Sequence, residues 1–236
     1  MARVARGGPQ IIPRRDDWIA GDPNPWTSIA SPEHFALHRV ERIMASHDPT
    51  TQVAETVPST PMRPPFMTAS RHSAVLVPLF VGPAGETRLI LTRRSARLRS
   101  HAHQVAFPGG RLDHGETAVE AALRETHEEI GLPPDRVRII GQLENLSTVA
   151  SDSSITPFVG VVDGELPLLV PSAREVERIF DVSLAELTDP DCYHEEIWAF
   201  DDGTFPVWFF EVEGDTIWGA TARMIRRLLD LLILSP

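Results

Sequence analysis

The chain predicts an α/β fold, an α/β/α sandwich on a mixed β-sheet, and three observations carry that prediction. Short apolar runs with strand texture lie on both sides of one long amphipathic helix, a second amphipathic helix closes the chain, and turn residues separate the runs. Strands and helices in this order bury a sheet beneath helices on both faces. At 236 residues, 42% of them hydrophobic, the chain is long enough for one core of moderate size plus an extension.

Residues 1–66 read as an N-terminal extension ahead of a domain spanning 67–236. Within it Ser31-Pro32-Glu33 opens a helix running to Ala45, with Phe35, Leu37, Val40, Ile43 and Met44 as a rough apolar side. That side would dock on the domain or on a partner chain, which leaves a homodimer open. Residues 47–65, rich in Pro, Thr and Ser, read as a linker or extended strap.

The domain begins with two apolar runs, 73–81 (SAVLVPLFV) and 88–92 (RLILT), joined by GPAGE as a β-hairpin. From Thr117 to Ile130 there is no Pro or Gly, and Val119, Ala122, Leu123, Thr126 and Ile130 form one helical stripe. Residues 137–143 and 155–162 read as further strands. Residues 197–200 and 206–212 flank Asp202-Gly203, a hairpin turn signal. Residues 216–234 form the closing helix, using Ile225, Leu228, Leu229 and Leu232.

Composition narrows the function. A formal charge of −11 argues against a nucleic-acid surface or an anionic membrane. No apolar run is long enough to span a bilayer, and the Arg-bearing N-terminus lacks the apolar core of a secretory signal. Cys192 is the only cysteine, so no intramolecular disulfide can form and a reducing compartment is the default. Cytoplasm is the expected location. All 22 basic residues are arginine, which excludes a Schiff-base or P-loop lysine and leaves phosphate contacts to guanidinium groups.

The segment GRLDHGETAVEAALRETHEEIGL, residues 110–132, carries the chemistry. Opposite the apolar stripe, Glu125, Glu128 and Glu129 stand at i, i+3 and i+4, within reach of one cation. Oxygen-only donors favour Mg²⁺ or Mn²⁺. An acidic solvent face explains that periodicity equally well, but it does not explain Gly109-Gly110, Glu116 and Arg124. The segment resembles the Nudix box, with Gly110, Glu116, Arg124, Glu125, Glu128, Glu129, Gly131 and Leu132 on the pattern. Thr126 departs, standing where an aliphatic residue is usual; its hydroxyl can bond back to the preceding turn.

Upstream, LILTRRSARLRSHAHQVAFPGG resembles the extended signature of the coenzyme A pyrophosphatase branch of that family. Leu91, Thr92, Arg94, Ser95, Leu98, Arg99, His101, Gln104, Phe107, Pro108, Gly109 and Gly110 match it. Trp218-Gly219-Ala220-Thr221-Ala222 also resembles the branch. His103 departs, replacing a glycine, so either the turn is reshaped or an imidazole enters the substrate channel. Arg93, Arg94, Arg97, Arg99, His101 and His103 form the dense cationic segment near the acidic box, and Arg94, Arg97, Arg99, His101 and Gly109 are the candidate substrate contacts.

The resemblance implies the α/β/α fold already predicted and a divalent-metal-dependent hydrolase with a small-molecule nucleotide substrate. Glu125, Glu128 and Glu129 would hold Mg²⁺ or Mn²⁺, with the carbonyl of Gly109 or Gly110 as a further ligand. Glu116 would pair with Arg124 and fix loop to helix. The general base stays open among Glu125, Asp152, Glu175 and Glu177. The leading substrate is coenzyme A or acyl-CoA, cut to 3′-phospho-AMP and the phosphopantetheine portion. Another nucleoside diphosphate derivative, such as ADP-ribose, is the nearest alternative, and a non-catalytic nucleotide-binding regulator is a third.

Overall fold

A computed structural model describes residues 6–50, 71–98, 100–148, 153–200 and 203–235. In chain order the strands are β1 (Ile19–Ala20), β2 (Arg71–Val81), β3 (Thr87–Arg94), β4 (Val105–Ala106), β5 (Gly109–Arg111), β6 (Val137–Gln142), β7 (Leu146–Thr148), β8 (Ser153–Val162), β9 (Val176–Ser183), β10 (Tyr193–Phe200), β11 (Gly203–Val212) and β12 (Asp215–Ile217). The α-helices are α1 (Leu37–Ser46), α2 (Ala118–Ile130) and α3 (Gly219–Leu234).

The eight-stranded sheet has the order β4-β3-β2-β8-β6, with β5 on β2, β7 on β8 and β9 on β3. It is mixed, because β2 and β8 run parallel while the other pairs are antiparallel. Side-chain alternation makes the layers. Along β2, Ala74, Leu76 and Phe80 join the cluster that holds Ala121, Ala122 and Ile130 of α2. Val77 and Leu79 join the opposite cluster, which holds Val40, Ile43 and Met44 of α1 and Ile225, Leu228, Leu229 and Leu232 of α3. β3 divides the same way, with Ile90 toward α2 and Leu89 and Leu91 toward α3. The α/β/α sandwich read from the sequence is therefore present, and each face of the sheet has its own helical cover.

Four differences from the sequence reading have physical causes. The hairpin of β10 and β11 does not extend the mixed sheet; it builds a separate four-stranded sheet ordered β1-β10-β11-β12. Its strands pair from Tyr193↔Phe210 to Phe200↔Gly203, and the turn at 201–202 lies outside the described residues. The closing helix begins at Gly219 rather than at 216, because Asp215, Thr216 and Ile217 pair with β11. The N-terminal helix arrives in two pieces, a 3₁₀ turn (Pro32–Phe35) and α1, divided at Ala36 by an extended backbone (φ −61°, ψ 129°). β9 was missed because charges interrupt VERIFDVS, yet Val176, Phe180 and Val182 are buried while Glu177 and Asp181 stay exposed.

The N-terminal residues share the core of the rest. Trp26 is fully buried, stacks on Phe210, meets Tyr193 edge-on and donates its indole N–H to Asp230 Oδ1 at 2.9 Å. Phe35, Val40, Ile43 and Met44 lie in the same cluster as α3. Most of the linker segment 47–65 falls outside the described residues. Among those described, no helix is long and apolar enough to cross a membrane.

Trp26→Ala empties a closed aromatic site and orphans Asp230 Oδ1, so it should cost about 3–5 kcal/mol. Urea unfolding should show this as a lower midpoint at unchanged slope; a midpoint like that of the parent would mean that the extension adds little to the core.

Candidate active site

The acidic helix is defined at both ends by local chemistry. Thr117 is the N-cap of α2, its hydroxyl accepting from the Glu120 N–H while the Glu120 carboxylate accepts from the Thr117 N–H, a reciprocal capping box. Gly131 stops the helix with φ 72°. The apolar stripe faces the sheet through Ala121, Ala122, Thr126 and Ile130, whereas Val119 and Leu123 are half-buried. Thr126 Oγ1 donates to the Ala122 carbonyl at 2.6 Å, so the residue that departs from the box pattern satisfies its hydroxyl within the helix.

β5 brings Gly109 and Gly110 directly under this helix, opposite Val75 and Ala74 of β2. Gly109 has no room for a side chain, whereas one at Gly110 would push aside the end of the Glu125 side chain. A Cβ on Gly109, where φ is 149°, would lie 2.3 Å from the Ala74 carbonyl oxygen, and one on Gly110 would lie 2.4 Å from the Glu125 carboxyl carbon. The Gly109 N–H donates to Glu129 Oε2 at 3.2 Å.

The three glutamates occupy three environments. Glu128 is solvent-facing at 58% side-chain exposure, Glu125 sits against Gly110 at 18%, and Glu129 is buried against β5 at 5%. The expectation that all three project from the face opposite the stripe is therefore corrected for Glu129. Its position three residues after Thr126 carries it to the edge of the buried face. Arg124 holds the others: Nη1 is 3.1 Å from Glu125 Oε1 and 3.5 Å from Glu128 Oε1. The same guanidinium grips Glu116 in bidentate fashion, Nε to Oε1 at 2.8 Å and Nη2 to Oε2 at 3.0 Å, and Nη2 also donates to the Arg111 carbonyl. With the Asp113 N–H on Glu116 Oε2 at 2.9 Å, this pair ties the loop after β5 to the helix.

Electrostatics mark out the same spot. Burial pushes the Glu129 carboxyl up to about 7, with Glu175 and Glu125 adding repulsion while the Gly109 N–H and Arg94 oppose it. Burial also raises Glu125, against the Arg124 hydrogen bond and with help from Glu128 and Glu175. Glu116 is held below the usual carboxylate range, first by its hydrogen bonds from Arg124 and then by the Asp113 N–H. Among the described residues no three His, Cys, Asp or Glu groups stand already gathered as a metal cage. The donor set nevertheless fits a hard divalent cation: Glu125, Glu128, Glu129 and Glu175 offer oxygens whose mutual repulsion such an ion would relieve.

The cationic segment divides. Arg94, the last residue of β3, brings Nη1 to 3.9 Å from Glu129 Oε1, and its buried Nε has no partner among the described residues. Arg93, one residue earlier, points to the other side and pairs with Asp215 and Glu177. Arg97 and His101 are exposed on the following turn, and Arg99 lies outside the described residues. His103 keeps a left-handed backbone at φ 61°, and its ring reaches Glu177 Oε2 at 3.1 Å. Of the candidate bases, Glu177 is thus engaged by Arg93 and His103, Asp152 lies outside the described residues, and Glu125 and Glu175 stay beside Glu129. Sequence reasoning missed Gln10 and Asp215, which brace the turn, because nothing in their local context distinguishes them.

A strand edge bearing two glycines beneath a capped helix of glutamates, locked by an internal Arg–Glu pair, is the site of a pyrophosphohydrolase. The Nudix domain model matches residues 70–204, and the chain belongs to the Nudix family. Members of this family hydrolyse pyrophosphate bonds, generally with divalent metals, and this chain is such a hydrolase, acting on a nucleoside diphosphate derivative. It is 41% identical over 160 residues to a protein of Escherichia coli O7:K1 (strain IAI39) named uncharacterized Nudix hydrolase NudL, a match covering 67% of this chain and 81% of that one. A protein of the same name from Photorhabdus laumondii is also 41% identical over 160 residues, with coverage of 67% and 83%. Among solved structures, a Nudix hydrolase from M. smegmatis, RenU, is 24% identical with a TM-score of 0.43, covering 50% of this chain and 74% of that one.

The Glu129 carboxyl sets a pH dependence. Because it ionises near 7 in the fold against an ordinary value of 4.5, the folded protein loses stability relative to the unfolded chain as pH rises between these values, by about 3 kcal/mol at most. In metal-free buffer Glu129→Gln should therefore match the parent near pH 4 and exceed its Tm at pH 8. Thermal denaturation at both pH values checks this, and a variant no more stable than the parent at pH 8 would contradict it.

Proposed function

We propose that the chain hydrolyses the pyrophosphate of coenzyme A or acyl-CoA, giving 3′-phospho-AMP and (acyl-)4′-phosphopantetheine. The observation that carries this reading is the placement of Arg94, a residue of the coenzyme A pyrophosphatase signature, beside the buried Glu129 with its Nε unpartnered among the described residues. Anionic phosphate oxygens are the natural complement of such a donor. His103 supports the same reading, because it retains the left-handed backbone of the glycine that the branch carries there and turns its imidazole toward Glu177.

Glu125, Glu128 and Glu129, with the carbonyl of Gly109 or Gly110, would hold Mg²⁺ or Mn²⁺. When bound, such ions neutralise the bridged phosphates and lower the pKa of a water. Arg94 orients the diphosphate, with Arg97 and His101 exposed on the turn for a further phosphate of the substrate; Arg99 is a candidate for that phosphate by the family resemblance. Glu116 holds Arg124 in place, so the loop after β5 keeps its register on α2 while charge is redistributed among the acids. Glu125 or Glu175 takes the proton from the attacking water; both lie beside Glu129, Glu125 with one oxygen on Arg124, whereas Glu177 is held by both Arg93 and His103.

The decisive experiment is a substrate panel with Mg²⁺ and with Mn²⁺. Coenzyme A should be turned over with a higher kcat/KM than ADP-ribose, and 3′-phospho-AMP should be the product; preference for ADP-ribose would overturn the substrate assignment. Glu125→Gln should lower kcat by roughly 100-fold or more with the fold retained. Undiminished turnover in that variant would remove Glu125 from the machinery, and nucleotide binding without turnover in the parent would favour a regulator.

A further inference from the structure

We propose that Gln10, far from the acidic box in sequence, is a positioning residue of the active site, bracing the turn that sets Arg94. The role rests on the reading above that Arg94 contacts substrate phosphate.

The turn after β3 is strained. His101 and His103 both have positive φ, 57° and 61°, a conformation that non-glycine residues adopt at a cost and keep only when their surroundings impose it. Backbone bonds close the turn onto Arg94 itself: the Arg94 N–H donates to the Gln104 carbonyl at 2.9 Å, and the His103 N–H donates to the Arg94 carbonyl at 3.1 Å. The register of β3 on β9 shifts between Arg93 and Arg94 at this same point, with Arg94 resuming the ladder opposite Val176.

Gln10 ties the turn from outside this sheet. Its Nε2 donates to the His103 carbonyl at 3.1 Å and to Asp215 Oδ1 at 2.6 Å, while its Oε1 accepts the Thr216 N–H at 2.9 Å. Asp215 is wholly buried, and Arg93 Nη1 at 3.1 Å and Arg178 Nη1 at 2.9 Å complete its partners. Arg93 continues to Glu177, and Glu177 to the ring of His103. One amide thus links the strained turn to a buried anion anchored on β3, β9 and β12. The strap carrying Gln10 is itself attached by the Gly7 N–H to the Val212 carbonyl at 2.9 Å and by the Gly8 N–H to Thr216 Oγ1 at 3.2 Å. Without the Gln10 bond, the turn spends less time in the form that presents Arg94, and apparent affinity falls in proportion to that fraction.

The test uses the full chain with Mg²⁺ and coenzyme A, or ADP-ribose where the panel favours it. Gln10→Ala removes three hydrogen bonds, one of them to the turn, and loss of that one should raise KM by about 2- to 10-fold with kcat within about twofold. Hydrogen exchange should quicken in a peptide spanning residues 94–104 and stay unchanged in one from α2. Gln10→Met, which keeps the volume and removes the polar contacts, gives the same readout if the alanine variant folds poorly. An unchanged KM in the folded variant overturns the positioning role, even if Tm falls, because a merely structural brace would lower Tm alone. Arg94→Ala run in parallel separates the two ideas: an unchanged kcat/KM there defeats the reading of Arg94 and the inference with it, whereas a loss there beside an unaffected Gln10 variant defeats the inference alone.

Discussion

The site depends on the close approach of the Gly109–Gly110 strand edge to β2 on one side and to the glutamates of helix α2 on the other. A backbone this close to Glu125 and Glu129 places peptide groups among carboxylates, so the Gly109 N–H reaches Glu129 while the rest of β5 still pairs with β2. Any side chain at Gly109 would strike the Ala74 carbonyl, and any at Gly110 would strike the Glu125 carboxyl group. The capping box at Thr117 and the bidentate Glu116–Arg124 pair keep the helix from sliding along that edge.

The same closeness creates electrostatic tension among the carboxylates. Burying Glu129 beside Glu125 and Glu175 raises its affinity for a proton, burial being the larger cause and the neighbouring carboxylates the smaller. Arg124 relieves only part of this, because its guanidinium is committed first to Glu116. The site is therefore under-neutralised among the described residues, with Glu125 and Glu129 both raised by burial and by neighbouring carboxylates.

Much of this was legible in the residues. Periodicity located α2 within one residue of its observed start, and alternation with turn signals located β2, β3, β6, β8, β10 and β11. The family resemblance implied the Glu116–Arg124 pair, and the back-bonding of Thr126 followed from residue type. β9 was obscured because Glu177, Arg178 and Asp181 interrupt its apolar residues, and the start of α3 was misplaced because Thr216 and Ile217 suit either a strand or a helix until β11 claims them. Short segments such as β1, β4, β7 and β12 have no local signal, since they exist only where a neighbouring strand offers unpaired backbone groups.

The sequence by itself determined the helix of glutamates, the glycine pair and the family, because each is a local pattern whose spacing is set by backbone geometry. Tertiary structure alone decided that Glu129 is buried while Glu128 is not, that Arg93 and Arg94 face opposite ways, and that Gln10 meets Asp215 across 205 residues. Those outcomes depend on which layer each face packs against and on where distant segments come to rest, and neither is encoded in the spacing of neighbouring residues.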